Sequence, residues 1–117
     1  MVRNESIYFA FDSYELTPAA LEILDDVIDD VIGANGRQEK IEQIVSLSGF
    51  TDPKGDKNYN QNLSKRRVNA AAEYLIKHGV DSSLIEKTYH GENYNGDASD
   101  PDAKKRMVHI ARNYRKA

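Results

Sequence analysis

The spacing of apolar residues changes several times along the chain, and each change marks an element. Ile7-Tyr8-Phe9-Ala10-Phe11 is rich in aromatic and branched residues and runs into the turn-forming pair Asp12-Ser13. That composition predicts a first strand with Phe9 and Phe11 on one face. Thr17 is a good N-cap, Pro18 suits the first helical position, and Gly33 stands where a terminating glycine belongs. They frame a helix of about four turns. Within it Leu21, Leu24, Ile28 and Val31 form one apolar stripe, while Asp25, Asp26, Asp29 and Asp30 fall largely outside it. Ala34-Asn35-Gly36-Arg37 reads as a loop, and Ile41 to Leu47 as a second strand. Its Ile41, Ile44, Val45 and Leu47 are too apolar to alternate, which predicts cover on both faces.

The stretch from Ser48 to Asn58 is dense in turn formers and long for a simple connection. A second helix is expected from about Gln61 to His78, with basic residues in its last turn and Gly79 just past it. Leu84 to Tyr89 predicts a third strand, Gly91 to Asp102 a polar loop, and Met107 to Ala111 a fourth strand. The order strand, helix, strand, helix, strand, strand implies an α/β chain of the α+β sandwich type. Two main helices pack on one face of a mixed four-stranded sheet.

Composition narrows this picture mainly by exclusion. At 117 residues, positions 1–117 are expected to form a single domain. A formal charge of −3 gives no overall field for nucleic acid or anionic lipid. Without cysteine there is no disulfide, thiolate zinc site, iron-sulfur cluster or cysteine nucleophile. Met1 to Ser6 leads into a strand without a signal peptide or membrane anchor, so the chain is either cytosolic or an excised fragment. The polar helix faces carry no long apolar seam, which favours a monomer.

Candidate chemistry centres on the second helix. Leu63, Val68, Ala71, Ala72 and Leu75 define its buried face, and Arg67 lies four residues from both Leu63 and Ala71. Arg67 is therefore aimed at or beside the core, whereas Arg66 and Lys65 are rotated away by about 100° and 200°. A guanidinium keeps its proton, so it needs an anionic or multiply accepting partner there. Asp52, where the chain leaves the second strand, is the nearest plausible carboxylate. Either the two form a purely structural ion pair, or they stand side by side in a cleft that takes an amino-acid-like zwitterion.

Other groups invite blander readings. The acidic residues of the first helix fan out along a solvated face instead of converging on a cation, so no metal site is assigned. His78, His90 and His109 are scattered, with no nucleophile and orienting group around any of them. No catalytic residue and no cofactor is assigned, and the chain reads as a binding module, not an enzyme.

Five sequence pieces carry a resemblance over about Ile7 to Ile110. They are Phe9-x-Phe11-Asp12-Ser13, Gly49-Phe50-Thr51-Asp52-x-x-Gly55, Tyr59-Asn60-x-x-Leu63-Ser64-x-x-Arg67, Tyr74-Leu75-x-x-x-Gly79-Val80 and Gly91-Glu92. In this order and spacing they resemble the OmpA C-terminal-like domain, a family that includes peptidoglycan-associated lipoproteins and the periplasmic parts of flagellar stators. The resemblance implies non-covalent binding of cell-wall peptidoglycan through the stem peptide. Asp52 and Arg67 fall on the pair that grips its diamino acid, usually meso-diaminopimelate. Thr51 and Asn60 match positions lining that pocket. Phe50 stands where His or Tyr is more usual and could supply an apolar wall. Lys105-Arg106-Met107-Val108 replaces an Asn-Arg-Arg-Val run; Arg106 keeps the ligand-facing charge, while Lys105 and Met107 depart from the pattern.

A wall-binding domain must be exported. The resemblance thus implies a periplasmic location and a membrane anchor upstream of this sequence, within a larger envelope protein or complex. The competing reading is an assembly module of a secretion or motor apparatus with the same fold and weak or no wall binding.

Overall fold

A computed structural model of the chain describes residues 3–35, 41–94 and 96–116. The elements are β1 (Arg3–Tyr8), α1 (Pro18–Asn35), β2 (Ile41–Phe50), α2 (Lys57–Lys77), a 3-10 turn (Ser82–Leu84), β3 (Ile85–Tyr89), a short α3 (Asp102–Lys105) and β4 (Met107–Lys116). The four strands form one sheet in the order β1-β4-β2-β3. β4 runs antiparallel to both neighbours, and β2 pairs with β3 in parallel through the α2 crossover. This is the expected mixed α+β sheet.

The core lies between the helices and one sheet face. Leu24, Val27, Ile28 and Val31 of α1 meet Val45 and Leu47 of β2, Val68, Ala71, Ala72 and Leu75 of α2, and Val108 and Ile110 of β4. Each fully buried Leu, Ile or Val here contributes roughly 1.5–3 kcal/mol. Val27 completes the α1 stripe, and Leu21 is only half-buried. The second face of β2 is covered less completely than its apolar sequence implies: Ile44 and Phe50 are buried there, but Ser46 and Ser48 are half-buried.

Several boundaries move for identifiable reasons. β1 ends at Tyr8, so Phe9 and Phe11 do not share a face; Phe9 is 3% exposed and Phe11 61%. Beyond the strand the chain turns through Asp12, which adopts a left-handed conformation with φ 52°. α1 continues past Gly33 to Asn35, and the loop expected around Gly36 and Arg37 lies outside the described residues. α2 begins at Lys57 because the Asp56 side chain accepts from the Tyr59 backbone N–H at 3.2 Å and caps it. Its first turn is so polar that it reads as loop in the sequence. β4 runs to Lys116, five residues beyond the expected end at Ala111 (116 − 111).

Asp30 is an exception to the solvated acidic face of α1. It accepts from Arg112 at 2.8 Å and from Gln43 at 3.2 Å. Arg112, buried on β4, also pairs with Glu5 of β1, so this ion cluster ties α1 to the sheet.

α2 approaches β2 closely at Gly49. A Cβ there would lie 2.5 Å from the Ser64 carbonyl oxygen and 2.6 Å from Val68 Cγ2. The backbone atom cannot move aside cheaply. Gly49→Ala is therefore expected to lower stability by about 1–3 kcal/mol in urea denaturation. A variant as stable as the parent would contradict this packing.

Candidate ligand-binding cleft

The end of β2, the 51–56 loop and the start of α2 form a tightly tied corner. The Thr51 N–H donates to the Gly91 carbonyl at 2.7 Å, and the Gly91 N–H donates to Ser64 Oγ at 3.1 Å. Thr51 Oγ1 donates to the Asp52 carbonyl at 2.9 Å. Asn60 Nδ2 reaches back from α2 to the Lys54 carbonyl at 3.0 Å and the Asp52 carbonyl at 3.4 Å. Gly55, at φ +91°, supplies the left-handed step that lets this loop return to the helix. Thr51, Asp52 and Asn60 are all buried.

Arg67 is fully buried, as its position in the apolar stripe predicts. Its partners are backbone carbonyls: Nε donates to Ser13 at 2.8 Å, Nη1 to Phe50 at 3.0 Å, and Nη2 to Ala10 at 3.1 Å. The guanidinium also lies 5.2 Å from the centre of the Phe9 ring. Burial pushes its pKa down to about 10, against the opposing charge of Asp52, so it stays protonated at neutral pH. Three of its five N–H groups are thus engaged, and one remains on each terminal nitrogen.

The Asp52 carboxylate pairs with Arg106, not with Arg67. Oδ2 accepts from Arg106 Nη1 at 3.4 Å, and Oδ1 accepts from the Lys54 N–H at 3.1 Å. Arg106 is held in turn by its Nε donating to the Phe9 carbonyl at 3.0 Å. Asp52 and Arg67 nonetheless line the same cleft of about 200 Å³, together with Thr51 and Asn60. Phe11, Asp12, Lys54, Gly55, Tyr59 and Leu63 complete its walls.

Phe50 and the altered run around Lys105 lie elsewhere. The Phe50 ring stacks on His90 at 4.8 Å and meets Tyr94 edge-on at 6.4 Å, outside the cleft lining. Strand alternation puts it on the sheet face opposite Gly49 and α2, so what it gives the site is its carbonyl. Met107 is buried on that same face, paired in register with Phe50. Lys105 Nζ donates to the Ala98 carbonyl at 2.9 Å and anchors the loop before α3.

Asp12 and Tyr59 line the cleft without having been assigned to it from the sequence. Tyr59 stands four residues before Leu63 and eight before Arg67, so one face of α2 carries all three. That signal was hidden by the polar first turn. The Tyr59 hydroxyl donates to Asp12 Oδ1 across the cleft, and this bond raises the Tyr59 pKa.

A larger groove of about 640 Å³ runs beside Tyr14, Leu16, Ala70 and Tyr74. It lacks the convergence of buried polar groups that distinguishes the smaller cleft. His78 packs on Tyr74, His90 bonds to Thr88, and His109 bonds to Ser6 and Asn4. None of the histidines lines the cleft. Among the described residues no cluster of three or more potential ligands could hold a metal ion, and no helix is long and apolar enough to cross a membrane.

Comparison with known proteins gives the family and agrees with the fold. The model of the OmpA family matches residues 8–108. The chain is 37% identical over 87 residues to a peptidoglycan-associated lipoprotein of Pseudomonas putida, covering 74% of this chain and 48% of that protein. It is 30% identical over 89 residues to outer membrane protein P5 of Haemophilus influenzae, covering 76% of this chain and 23% of that protein. The chain therefore spans about half or less of the length of these relatives. Among solved structures, the peptidoglycan-associated lipoprotein of Burkholderia pseudomallei superposes with a TM-score of 0.78 at 22% identity, over 92% of this chain and 89% of that one. The periplasmic domain of Helicobacter pylori MotB gives 0.71 at 14% identity, over 95% and 72%. These structural likenesses concern the fold.

The geometry makes Arg67 a structural residue whatever else it does. In Arg67→Lys one ammonium cannot reach all three carbonyls, which come from the turn after β1 and from the end of β2, and a buried carbonyl left unpaired costs about 1–3 kcal/mol. We expect a loss of about 1–3 kcal/mol, read as a lower urea midpoint. An unchanged midpoint would refute this role.

Proposed function

The chain belongs to the OmpA family, and on that premise we propose that it binds cell-wall peptidoglycan non-covalently in the periplasm through the diaminopimelate of the stem peptide. It thereby tethers an envelope protein or complex to the wall. The observation that carries this reading is the cleft in which a buried guanidinium with two remaining N–H groups meets the buried Asp52 carboxylate.

The chemistry suits a ligand end bearing both charges. A carboxylate can accept from the remaining Arg67 N–H groups, and Arg106 adds a second cation beside Asp52. An ammonium can donate to the Asp52 carboxylate in the same cleft. Thr51 and Asn60 act one step back, fixing the loop that holds Asp52. Because the corner is tied before any ligand arrives, little ordering is needed on binding. The role implies no chemical transformation of the wall, and no catalytic residue is assigned.

A second reading has one observation in its favour. The three carbonyl bonds of Arg67 account for its burial without any ligand, as an assembly module lacking wall binding would require.

Sedimentation with insoluble peptidoglycan separates the two. Asp52→Ala is the informative variant, because Asp52 holds only the Lys54 N–H and Arg106, whereas loss of Arg67 threatens the fold. We expect the wild type to pellet with the wall, Asp52→Ala to pellet at least about tenfold less, and free meso-diaminopimelate to compete. A folded Asp52→Ala that pellets like the wild type would defeat the site assignment. A wild type that stays in solution would favour the assembly module.

A further inference from the structure

We propose that the open face of the sheet, opposite the helices, is a docking shelf for the sugar chain of the wall, a neutral β-linked amino-sugar strand. The shelf uses none of the cleft residues; only the choice of the wall as the source of the sugar rests on the proposed function.

Strand register builds the shelf. α1 and α2 cover the face that carries Val45, Leu47, Val108 and Ile110, so by alternation Ser6, His109, Ser48 and Thr88 point to the other face. Pairing sets these four side by side, one from each strand: Ser6 opposite His109, His109 opposite Ser48, and Ser48 opposite Thr88. Hydrogen bonds join them. His109 meets Ser6 Oγ at 3.4 Å and Asn4 Oδ1 at 3.2 Å, Ser48 and Thr88 share a bond of 2.9 Å, and His90 Nε2 meets Thr88 Oγ1 at 3.1 Å. The next row on this face holds Asn4, Ala111, Ser46 and Glu86. On the other side of the central row stand Tyr8, Met107 and Phe50, with Tyr8 47% exposed and the rings of His90 and Tyr94 against the buried Phe50.

The chemistry of the three rows decides what fits. Charged residues make up 30% of the chain, yet among the described residues of these rows Glu86 is the one charged side chain. Nucleic acid and other phosphate-bearing polymers need cations, and these rows offer none. Serine and alanine, which pave the shelf, are depleted in protein interfaces. Small hydroxyl, amide and imidazole groups that donate and accept in turn match the hydroxyls and amides of an uncharged sugar. Tyr8 adds an exposed ring on which the apolar face of a pyranose can lie. Neighbouring strands stand about 4.8 Å apart, so a row of four spans about 14 Å, room for a short run of sugars laid across the strands. The wall glycan is uncharged wherever stem peptides cap its carboxyl groups, as this neutral face requires.

Titration of the isotope-labelled chain with tri-N-acetylchitotriose, read by amide chemical shifts, tests this. We expect saturable shifts at Ser6, Ser48, Thr88 and His109 and none at Thr51 or Asp52 of the cleft. Glycan strands freed of stem peptides by an amidase should move the same amides. Tyr8→Ala should weaken binding about fivefold and Tyr8→Phe should retain it. Thr88→Arg, which fills the shelf from an exposed position on the edge strand, should abolish it. The absence of saturable shifts on this face, shifts centred on the cleft, or folded Tyr8→Ala and Thr88→Arg variants that bind as the wild type does would each overturn the shelf. The probe carries no diaminopimelate, so the two sites fail separately. A chain that binds the trisaccharide but not diaminopimelate would uphold the shelf and overturn the reading of the cleft, and the reverse would overturn the shelf alone.

Discussion

A buried guanidinium that cannot discharge sets the architecture of this end of the molecule. Arg67 sits in the apolar face of α2, where an unpaired charge would be prohibitively costly, and the chain satisfies it by bringing three carbonyls from separate segments to one point. Ala10 and Ser13 belong to the turn after β1, and Phe50 ends β2. The turn, the strand and the helix are thereby locked together, and the cleft is the space left between them. Gly49 makes this possible by letting α2 lie directly on the sheet.

The same arrangement separates two roles that a contact list would merge. Carbonyl bonds hold Arg67 in place, and in the proposed function its remaining N–H groups are the ones that meet a ligand. Asp52 is held by Arg106 and by its own loop, and Arg106 is fixed by the Phe9 carbonyl. The charge pattern of Arg67, Asp52 and the neighbouring Arg106 is therefore set in advance, largely by bonds to the main chain. In the proposed function such a pattern serves binding by complementarity without closure.

Much of this was legible in the sequence. Helical spacing alone aimed Arg67 at or beside the core and required an anionic or multiply accepting partner, and the order of elements followed from changes in period and from caps. The identity of the partner was not legible: three carbonyls from separate segments leave no mark in local sequence, whereas a carboxylate such as Asp52 is visible as a residue. Tyr59 was missed because Lys57-Asn58-Tyr59-Asn60 is as polar as a loop, and only the Asp56 cap reveals it as helix. Phe50 was placed near the site by its neighbours in sequence, but strand alternation turns its ring to the far face, where it packs with His90 and Tyr94. Its departure from the family pattern, like that of Met107, belongs to that packing and not to the cleft lining.

The account turns on Arg67 being both the knot of the fold and a ligand contact. The most direct measurement is a crystal structure of the chain with a stem peptide containing meso-diaminopimelate. We expect the diamino acid in the cleft between the turn after β1 and the start of α2, its carboxylate on the terminal nitrogens of Arg67 and all three carbonyl bonds intact. A peptide seated in the groove beside Tyr14 and Tyr74, with Arg67 untouched, would contradict the account.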